Sequence, residues 1–456
     1  DLEGGAPRDW RASMLQIPQL VAPGTLEEKA LLPSFLYLPA PEEFPPESLA
    51  LPWSRQNPGG IVGELARSHG AKVPTRLVAS AKSWLSYTAV DRMSALLPWQ
   101  APPDVTRVSP VEASARYLGH LAAAWDHAHA GRGKSQAPMR TQEIVLTVPA
   151  SFDAAASDLT LKAAEQAGLE NVTLLEEPQA ALYAWLEVAG EGFRKLLKKG
   201  DVILVVDVGG GTTDFSLIAV AEENGELQLT RLAVGDHILL GGDNMDLALA
   251  HTLQQQLNTA GKKLDSWQFI SLVHGCRKAK ESLFGDAALK KTPISVPGRG
   301  SGLVGGTIKT ELTRELLTQV LTDGFFPETR FDQAPSTARR TGLAQIGLPY
   351  AQDPAITRHL AAFLTRQARA LEQAPEAPAG VKRGAFVHPT AILFNGGVFK
   401  AGTLKDRLVQ VLNTWLREDG GQPVRELQGA DLDLAVARGA AYYGWTRHGH
   451  GIRIRG

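Results

Sequence analysis

The stretch that decides the fold is residues 206–214, with the sequence Val-Asp-Val-Gly-Gly-Gly-Thr-Thr-Asp. It ends the apolar run 202–206, which is typical of a strand buried on both faces. We predict that this strand presents Asp207, that the glycines form a turn, and that a second strand presents Asp214. Glycine allows a backbone to approach phosphate closely, with N–H groups directed at the oxygens. The stretch therefore predicts a phosphate-binding turn between two strands.

The two acids at the ends of this stretch point to a metal ion. The carboxylates of Asp207 and Asp214 would repel phosphate, unless Mg²⁺ and its water molecules lie between them and a nucleotide. The alternative is a tight glycine-rich hairpin between two core strands, with no ligand. We prefer the first interpretation.

The chain before this stretch alternates between strands and helices. A buried-type strand at 143–148 precedes a helix capped by Asp153, and a short strand at 172–175 precedes a helix that begins at Glu177. This alternation predicts a parallel sheet flanked by helices. Asn224-Gly225 is typical of a hairpin turn after the strand that follows Asp214. Other elements are expected near 109–130, 243–258, 265–284, 313–323, 355–372 and 433–446 (helices) and 391–395 (a strand).

Composition places broad limits on the class of protein. The 456 residues are 44% hydrophobic and 21% charged, so a large core is expected and global disorder is not. A net charge of −1 argues against nucleic-acid and membrane partners. The single cysteine, Cys276, excludes an internal disulfide, and a cytoplasmic location is the simplest interpretation.

Residues 207–214 resemble the second phosphate loop of heat-shock-70 chaperones and of their actin and sugar-kinase relatives. Further segments match that family in the required order, over about residues 60–445 except 326–390. They resemble the first connecting segment (148–152 and 176–181), the stretch after the phosphate loop (235–237 and 241–244), the adenosine motif (394–398) and the closing helix (433–441).

The resemblance implies an α/β fold of the actin-like two-lobed ATPase type, with mixed sheets flanked by helices and a nucleotide cleft between the lobes. The first lobe is expected at 1–197 plus 433–456, with an outer subdomain at about 21–106. The second is expected at 198–432. It would carry an outer subdomain at about 241–310 and an insertion at about 326–390.

The resemblance also implies roles for single residues. Asp207 and Glu177 would hold the water shell of Mg²⁺, and Asp214 would orient the attacking water. Lys82 would balance charge on the γ-phosphate, and Pro149 would act as the switch that relates nucleotide state to lobe orientation. The remaining contacts to ATP or ADP are expected from Gly209, Gly210, Gly211, Thr212, Thr213, Gly241, Gly242, Lys280, Gly396, Gly397 and Asp433.

Simpler explanations exist for some of these residues. Lys82 could be a solvated surface lysine, and Glu177 could be a helix N-terminal acid stabilised by the helix dipole. Gly396 and Gly397 could form an ordinary strand-to-helix turn.

The sequence departs from the family pattern at several positions. Arg277 replaces the acid expected to bond the ribose, so Arg277→Glu is expected to tighten ATP binding. Val398 replaces a serine, and Ser157 stands where many members have an arginine that relays the switch signal. An early Asp-Leu-Gly-Thr-Thr phosphate loop is not found in the sequence. We therefore expect the chain to begin after that loop, and to bind and hydrolyse ATP weakly.

The functional expectation is an ATP-binding and ATP-hydrolysing domain whose nucleotide state controls lobe orientation. Co-chaperones and client proteins would bind through regions that this sequence lacks. Two alternatives remain open, a small-molecule kinase of the same superfamily and a non-catalytic nucleotide-binding scaffold. A kinase would need an acid at its substrate site, whereas a scaffold would bind nucleotide without releasing phosphate.

Overall fold

A computed structural model describes most of the chain. The described residues are 11–55, 59–129, 138–223, 226–298, 307–336, 348, 350–373, 382–429, 431–451 and 454–455. Their strands are β1 (Ile17–Ala22), β2 (Thr25–Lys29), β3 (Leu36–Tyr37), β4 (Ile61–Val62), β5 (Leu77–Val78), β6 (Ile144–Val148), β7 (Val172–Glu176), β8 (Val202–Val208), β9 (Thr213–Glu223), β10 (Glu226–Val234), β11 (Lys291–Val296), β12 (Ile308–Thr313), β13 (Ala391–Asn395), β14 (Arg425–Glu426) and β15 (Ile454–Arg455).

The α-helices are α1 (Glu64–Gly70), α2 (Ala81–Leu85), α3 (Pro110–His129), α4 (Ala154–Gln166), α5 (Glu177–Ala189), α6 (Phe193–Leu196), α7 (Gly242–Thr259), α8 (Ser266–Gly285), α9 (Arg314–Leu317), α10 (Asp323–Phe325), α11 (Ile356–Gln373), α12 (Gly402–Glu418) and α13 (Ala435–Arg447). Shorter helical turns are Pro74–Arg76, Met139–Thr141, Gly190–Gly192, Thr318–Thr322 and Gly397–Lys400. Among the described residues, no helix is both long and apolar enough to cross a bilayer.

Several helices, α4, α8 and α9 among them, begin after a side chain that caps the first turn. Asp153 caps α4 by accepting a hydrogen bond from the N–H of Ala156 at 2.6 Å. The helix expected at 313–323 is present as one continuous helical run, in which the wider turn Thr318–Thr322 joins α9 directly to α10. Asn224 and Gly225, where a hairpin turn is predicted, lie outside the described residues.

The central sheet is mixed and has six strands, in the order β14-β13-β8-β9-β10-β15. β13 runs parallel to β8, whereas β9 is antiparallel to both β8 and β10. β15 adds to this sheet beside β10, although the sequence analysis places residues 433–456 with the first lobe. The lobe boundaries themselves remain a prediction.

The side chains of β8 alternate between two hydrophobic clusters. Val202, Leu204, Val206 and Val208 pack against α7, α8, α11 and α12, while the odd-numbered residues pack against α5 and α13. This explains why the strand is apolar along its length. The same alternation assigns Asp207 to the face covered by α5.

The two other strands that meet at this point follow the same rule. In β9, Ile218 and Val220 face α5 and α13, and Asp214 shares their parity. In β13, Ala391 and Leu393 face α5 and α13, and Asn395 lies on the same face because it is two residues after Leu393. The central sheet therefore directs Asp207, Asp214 and Asn395 toward the start of α5.

Helix α2 is short but firmly anchored. The side chains of Trp84 and Leu85 are 1% and 2% exposed, and they pack into separate hydrophobic clusters. The polar residues of this segment are left to face the loops that follow β8 and β10. α2 thereby carries Lys82 to the central sheet.

Candidate functional site

An acidic cluster forms at the ends of three neighbouring strands. Asp207 of β8 lies directly opposite Asp214 of β9 and beside Asn395 of β13. The amide of Asn395 donates to Asp207 Oδ2 at 2.7 Å. Asp207 and Asp214 are 5% and 2% exposed, so two carboxylates are buried side by side.

Lys82 and Glu177 complete this cluster. The Lys82 ammonium pairs with the carboxylate of Glu177, the first residue of α5. Burial opposes the charge on Lys82, but the attraction of Glu177, Asp207 and Asp214 outweighs it and raises the pKa of the lysine. Lys82 is therefore not an isolated surface lysine, and Glu177 has a specific partner in Lys82 besides its place at the start of a helix.

The electrostatics of the cluster favour a further cation. Burial raises the pKa of Asp207 to about 7, and repulsion from Glu177 and Asp214 adds to the effect. Burial likewise raises the pKa of Asp214 to about 6, although the hydrogen bond from Ser151 opposes it. Three carboxylates thus face one lysine, and an added cation would relieve their repulsion.

The glycine turn after β8 rests on the start of α7. Gly209 accepts a hydrogen bond from the N–H of Gly242 at 3.0 Å, and Gly210 accepts one from the N–H of Asp243 at 2.7 Å. The hydroxyl of Thr213 donates to the carbonyl of Leu240 at 2.7 Å. These bonds hold one glycine pair, Gly209 and Gly210 of the turn, against a second pair, Gly241 and Gly242 at the start of α7.

Three glycines at this point leave no room for a side chain. A Cβ at Gly241 would lie 2.6 Å from the carbonyl oxygen of Gly209. A Cβ at Gly211 would lie 2.3 Å from Ser83 Oγ, on α2. Gly396 has φ of 90°, and a Cβ there would lie 2.2 Å from the carbonyl oxygen of Val208. At Gly241 and Gly396 the close approach of backbones therefore requires glycine, as expected for a phosphate cradle, whereas at Gly211 the obstacle is a serine side chain.

A cavity of about 520 Å³ lies against the glycine turn and the start of α7. Gly211, Gly241, Gly396 and Asp433 do not line it. Asp433 instead pairs with Lys400, a residue of the cavity wall, at 2.5 Å between Oδ1 and Nζ. Thr212 and Thr213 are buried and do not line the cavity. The predicted nucleotide contacts on the wall are Gly209, Gly210, Gly242, Lys280 and Gly397.

Arg277 closes one side of this cavity. Its Nε donates to Asp246 Oδ2 at 2.7 Å, and its guanidinium also pairs with Asp243. Asp243 in turn accepts a hydrogen bond from Ser80 Oγ at 2.6 Å, which joins α7 to the residue before α2. Lys280 bonds the other oxygen of Asp246 at 2.7 Å. The arginine is therefore part of an ion-pair network, which the sequence analysis did not anticipate.

This network reverses the expected effect of Arg277→Glu. The substitution would place a new carboxylate against Asp243 and the fully buried Asp246. We expect it to destabilise the protein by about 3 kcal/mol, typical of breaking a buried ion pair, and not to tighten ATP binding. Thermal unfolding and ATP titration check both points. Arg417→Glu, an exposed charge reversal on α12, is the control, and tighter ATP binding at an unchanged melting temperature would contradict the expectation.

The segment after Pro149 also reaches the acidic cluster. Pro149 ends β6, and its carbonyl accepts a hydrogen bond from the N–H of Phe152 at 3.1 Å. The hydroxyl of Ser151, within this turn, bonds the carboxylate of Asp214. His237 contacts the same hydroxyl, with 2.6 Å between Nδ1 and Oγ. Both residues lie in segments that match the family, but the resemblance implies no role for either of them.

The donor set fits Mg²⁺ bound through water. Among the residues that the structure describes, no group of three or more His, Cys, Asp or Glu side chains is arranged to hold a metal directly. Contact through a hydration shell needs only nearby oxygen acceptors, because Mg²⁺ usually keeps several waters. The buried Oδ1 of Asn395 has no hydrogen-bond partner in the described structure and is such an acceptor beside Asp207.

Comparison with known proteins agrees with this geometry. The family described as "Hsp70 protein" matches residues 53–330, more than half of the chain. Chaperone protein HscA of Enterobacter sp. (strain 638) is 32% identical over 213 residues, which cover 46% of this chain and 32% of that protein. Chaperone protein HscA of Edwardsiella ictaluri (strain 93-146) is 34% identical over 203 residues, which cover 43% and 31% respectively.

The chain thus aligns with about a third of the length of each of these relatives. The mixed sheets flanked by helices agree with the α/β, actin-like two-lobed fold that the resemblance implies. The family match, the order of the motifs and the arrangement of acids and glycines around the central sheet lead to one conclusion. The chain belongs to the Hsp70 family.

Proposed function

We propose that this chain is the ATP-binding and ATP-hydrolysing part of an Hsp70-type chaperone, and that its nucleotide state controls the orientation of its lobes. The observation that carries the proposal is the meeting of two glycine pairs beside an acidic cluster. Backbone N–H groups of the turn after β8 would bind phosphate oxygens, as in other glycine-rich phosphate sites. The cavity lined by Gly242, Lys280 and Gly397 would take the nucleoside.

The residues of the acidic cluster would divide the work of hydrolysis. Bound Mg²⁺ would supply positive charge to the β- and γ-phosphates. Asp207 and Glu177 would hold its waters, while Asp214 would orient the attacking water. Lys82 would stabilise negative charge that develops on the γ-phosphate oxygens. Each of these groups is already held in place by a specific partner, which favours a preorganised site.

Asp207→Asn tests the magnesium role. We expect ATP binding in the presence of Mg²⁺ to weaken by about 10- to 100-fold, because a hydrogen bond to a charged group contributes roughly 1.5–3 kcal/mol. Binding of ADP without Mg²⁺ should change much less. The melting temperature of the ligand-free protein should rise, because the variant removes one of three crowded carboxylates. Calorimetric titration and thermal unfolding measure these effects.

The sign of the stability effect depends on pH. The pKa of Asp207 is raised from 3.8 to about 7, so the folded state binds the proton more tightly than the unfolded state does. Its contribution to stability is present at low pH and is lost as the pH rises toward 7. The gain from Asp207→Asn should therefore be largest above pH 7. Asp158→Asn, on an exposed position of α4, is the control, and equal losses of ATP and ADP binding would contradict the magnesium role.

One observation favours a second candidate, the non-catalytic scaffold. Arg277 occupies the position at which the family resemblance implies an acid for the ribose, and it is held there by Asp243 and Asp246. Release of phosphate from ATP, measured with and without small-molecule acceptors, separates the three functions. Hydrolysis without an acceptor supports the chaperone ATPase, acceptor-dependent transfer supports a kinase, and binding without release supports the scaffold.

The proposal extends to partners and location. Co-chaperones and client proteins would respond to the lobe orientation, with Pro149 and the turn that follows it as the switch. A cytoplasmic location is supported by the cysteine content, because the only cysteine is a buried free thiol. Binding of purified co-chaperones with and without ATP tests the switch.

A further inference from the structure

A chain of hydrogen bonds leads away from the acidic cluster. The carboxylate of Asp214 bonds the hydroxyl of Ser151, which lies 2.6 Å from Nδ1 of His237. Nε2 of the same imidazole lies 2.8 Å from the hydroxyl of Ser86, at the end of α2. That hydroxyl lies 2.9 Å from the carbonyl oxygen of Ser83. The chain therefore has four links and crosses between four separate segments.

The number of hydrogens available to these four links is informative. Each link needs one hydrogen, and the carbonyl of Ser83 supplies none. The hydroxyls of Ser151 and Ser86 supply one each, and a neutral His237 supplies one more. With Asp214 ionised, the chain is one proton short. It is complete only when either Asp214 or His237 has taken up a proton.

Both positions for the added proton satisfy the same four links. If Asp214 holds it, Asp214 donates to Ser151, Ser151 donates to Nδ1 of His237, and Nε2–H donates to Ser86. If His237 holds it, Nδ1–H donates to Ser151, and Ser151 donates to the ionised Asp214. The two states differ only in the bonds from Asp214 to Ser151 and from Ser151 to His237, in each of which the hydrogen lies on one partner atom or on the other. A proton can therefore move along the chain without rearranging any side chain.

We propose that Ser151 and His237 relay the proton of the attacking water from Asp214 to His237 during ATP hydrolysis. This inference rests on the proposed ATPase function. The water oxygen forms a bond to the γ-phosphorus as the bond to the leaving ADP oxygen breaks, and the water proton passes to Asp214. Asp214 then gives that proton to Ser151 while Ser151 gives its own to Nδ1 of His237. Asp214 is ionised again, and the proton is carried by the imidazole.

Burial and nearby charges act on the protonation of His237. Burial lowers the pKa of the imidazole, so His237 is disposed to pass a proton on rather than to retain it. Asp153 favours the protonated imidazole and Lys82 disfavours it.

The far side of His237 offers the proton a way out. His237 lines a cavity of about 390 Å³. From α11, His359 and Arg366 face the same cavity, and Arg366 pairs with Asp236 at 2.5 Å. The imidazole can pass its proton to water in this cavity once Nε2–H exchanges its bond to Ser86 for a bond to that water. The relay would thereby remove a proton from a site from which bound ATP and the two lobes exclude solvent.

The test compares Ser151→Ala and His237→Gln with matched controls, Ser114→Ala and His388→Gln. Ser114 bonds a backbone carbonyl within α3, and His388 pairs with Asp419 at 2.8 Å, away from the relay. We expect both relay variants to bind ATP with Mg²⁺ within about twofold of the parent protein. Single-turnover hydrolysis should slow on the order of 10²-fold, the usual range for loss of acid–base assistance. The controls should hydrolyse ATP at the parent rate.

A second readout needs no turnover. Nuclear magnetic resonance of histidine-labelled protein follows the protonation of His237, whose signal is the one missing in His237→Gln. Ser151→Ala should lower the pKa of His237, because the protonated imidazole loses its link to Asp214. Ser114→Ala should leave it unchanged.

The outcomes separate the relay from the proposed function. Normal hydrolysis by both relay variants, or a His237 pKa that does not respond to Ser151→Ala, would overturn the relay and leave the ATPase proposal intact. A parent protein that binds no ATP would overturn the ATPase proposal and the relay with it. A fall in hydrolysis with equally weakened ATP binding would assign Ser151 and His237 to nucleotide binding and overturn the relay.

Discussion

Lys82→Met should slow ATP hydrolysis by about 10²–10³-fold, the usual cost of removing one positioned donor from a developing negative charge. Methionine keeps a flexible apolar stem but removes the ammonium that pairs with Glu177. The loss also removes the positive charge that favours ionisation of Asp207 and Asp214, so ionisation of these acids becomes less favourable. ATP affinity should change less than tenfold, because the glycine turn and the cavity are untouched.

The measurement is single-turnover hydrolysis with protein in excess over ATP, a format that detects slow reactions. Lys199→Met is the matched control, because Lys199 precedes β8 and pairs with Glu222 at a distance of 3.9 Å, at the opposite end of the strand from Asp207. A hydrolysis rate for Lys82→Met equal to that of the control would remove Lys82 from the catalytic site. A loss of ATP affinity as large as the loss of hydrolysis rate would instead assign Lys82 to nucleotide binding.

Gly439→Ala should be among the most destabilising single substitutions in the chain. Gly439 lies where α13 crosses α5, and a Cβ there would lie 1.7 Å from the carbonyl oxygen of Ala180. The obstacle is the backbone of α5 at Ala180 and Ala184, so relief requires that the two helices move apart. We expect a loss of about 3 kcal/mol or more in the free energy of unfolding, at the upper end of overpacking effects.

Gly444→Ala is the control from the same helix. A Cβ at Gly444 would lie 3.7 Å from Val145 Cγ2, an ordinary van der Waals contact. Alanine exceeds glycine in helix propensity by up to about 1 kcal/mol, so this variant should be neutral or more stable. Urea unfolding of both variants measures the difference. Equal stability of the two would show that α5 and α13 do not cross as closely as described.

Local pattern was enough to predict the central strands and the acid pair. The apolar run of β8, the glycine turn and β9 lie next to each other in the chain, so their antiparallel pairing follows from the turn alone. The strand period of two then assigns Asp207 and Asp214 to one face. The cap at Asp153 and most helix ends were predictable for the same reason, because each depends on residues within one or two turns.

Longer-range contacts needed more than pattern. Lys82 is 95 residues from its partner Glu177, and the family resemblance, not spacing, brought them together. Arg277 could be recognised as a departure, but its partners Asp243 and Asp246 lie on another helix. The resemblance alone predicts tighter ATP binding for Arg277→Glu, whereas the ion pairs of Arg277 predict a loss of stability, because charge pairing depends on which helix faces are adjacent.

The sequence by itself determined the buried strand β8, the glycine turn and the pair of acids, because strand period and turn chemistry are local properties. Only the tertiary structure decided the chain from Asp214 through Ser151 to His237, whose links join residues 63, 86 and 151 positions apart. Ser151 and Ser86 lie in turns, where no periodic pattern gives the direction of a side chain. Their contacts, and the raised pKa values of Asp207 and Asp214, arise from burial, which exists only after the strands and helices have packed.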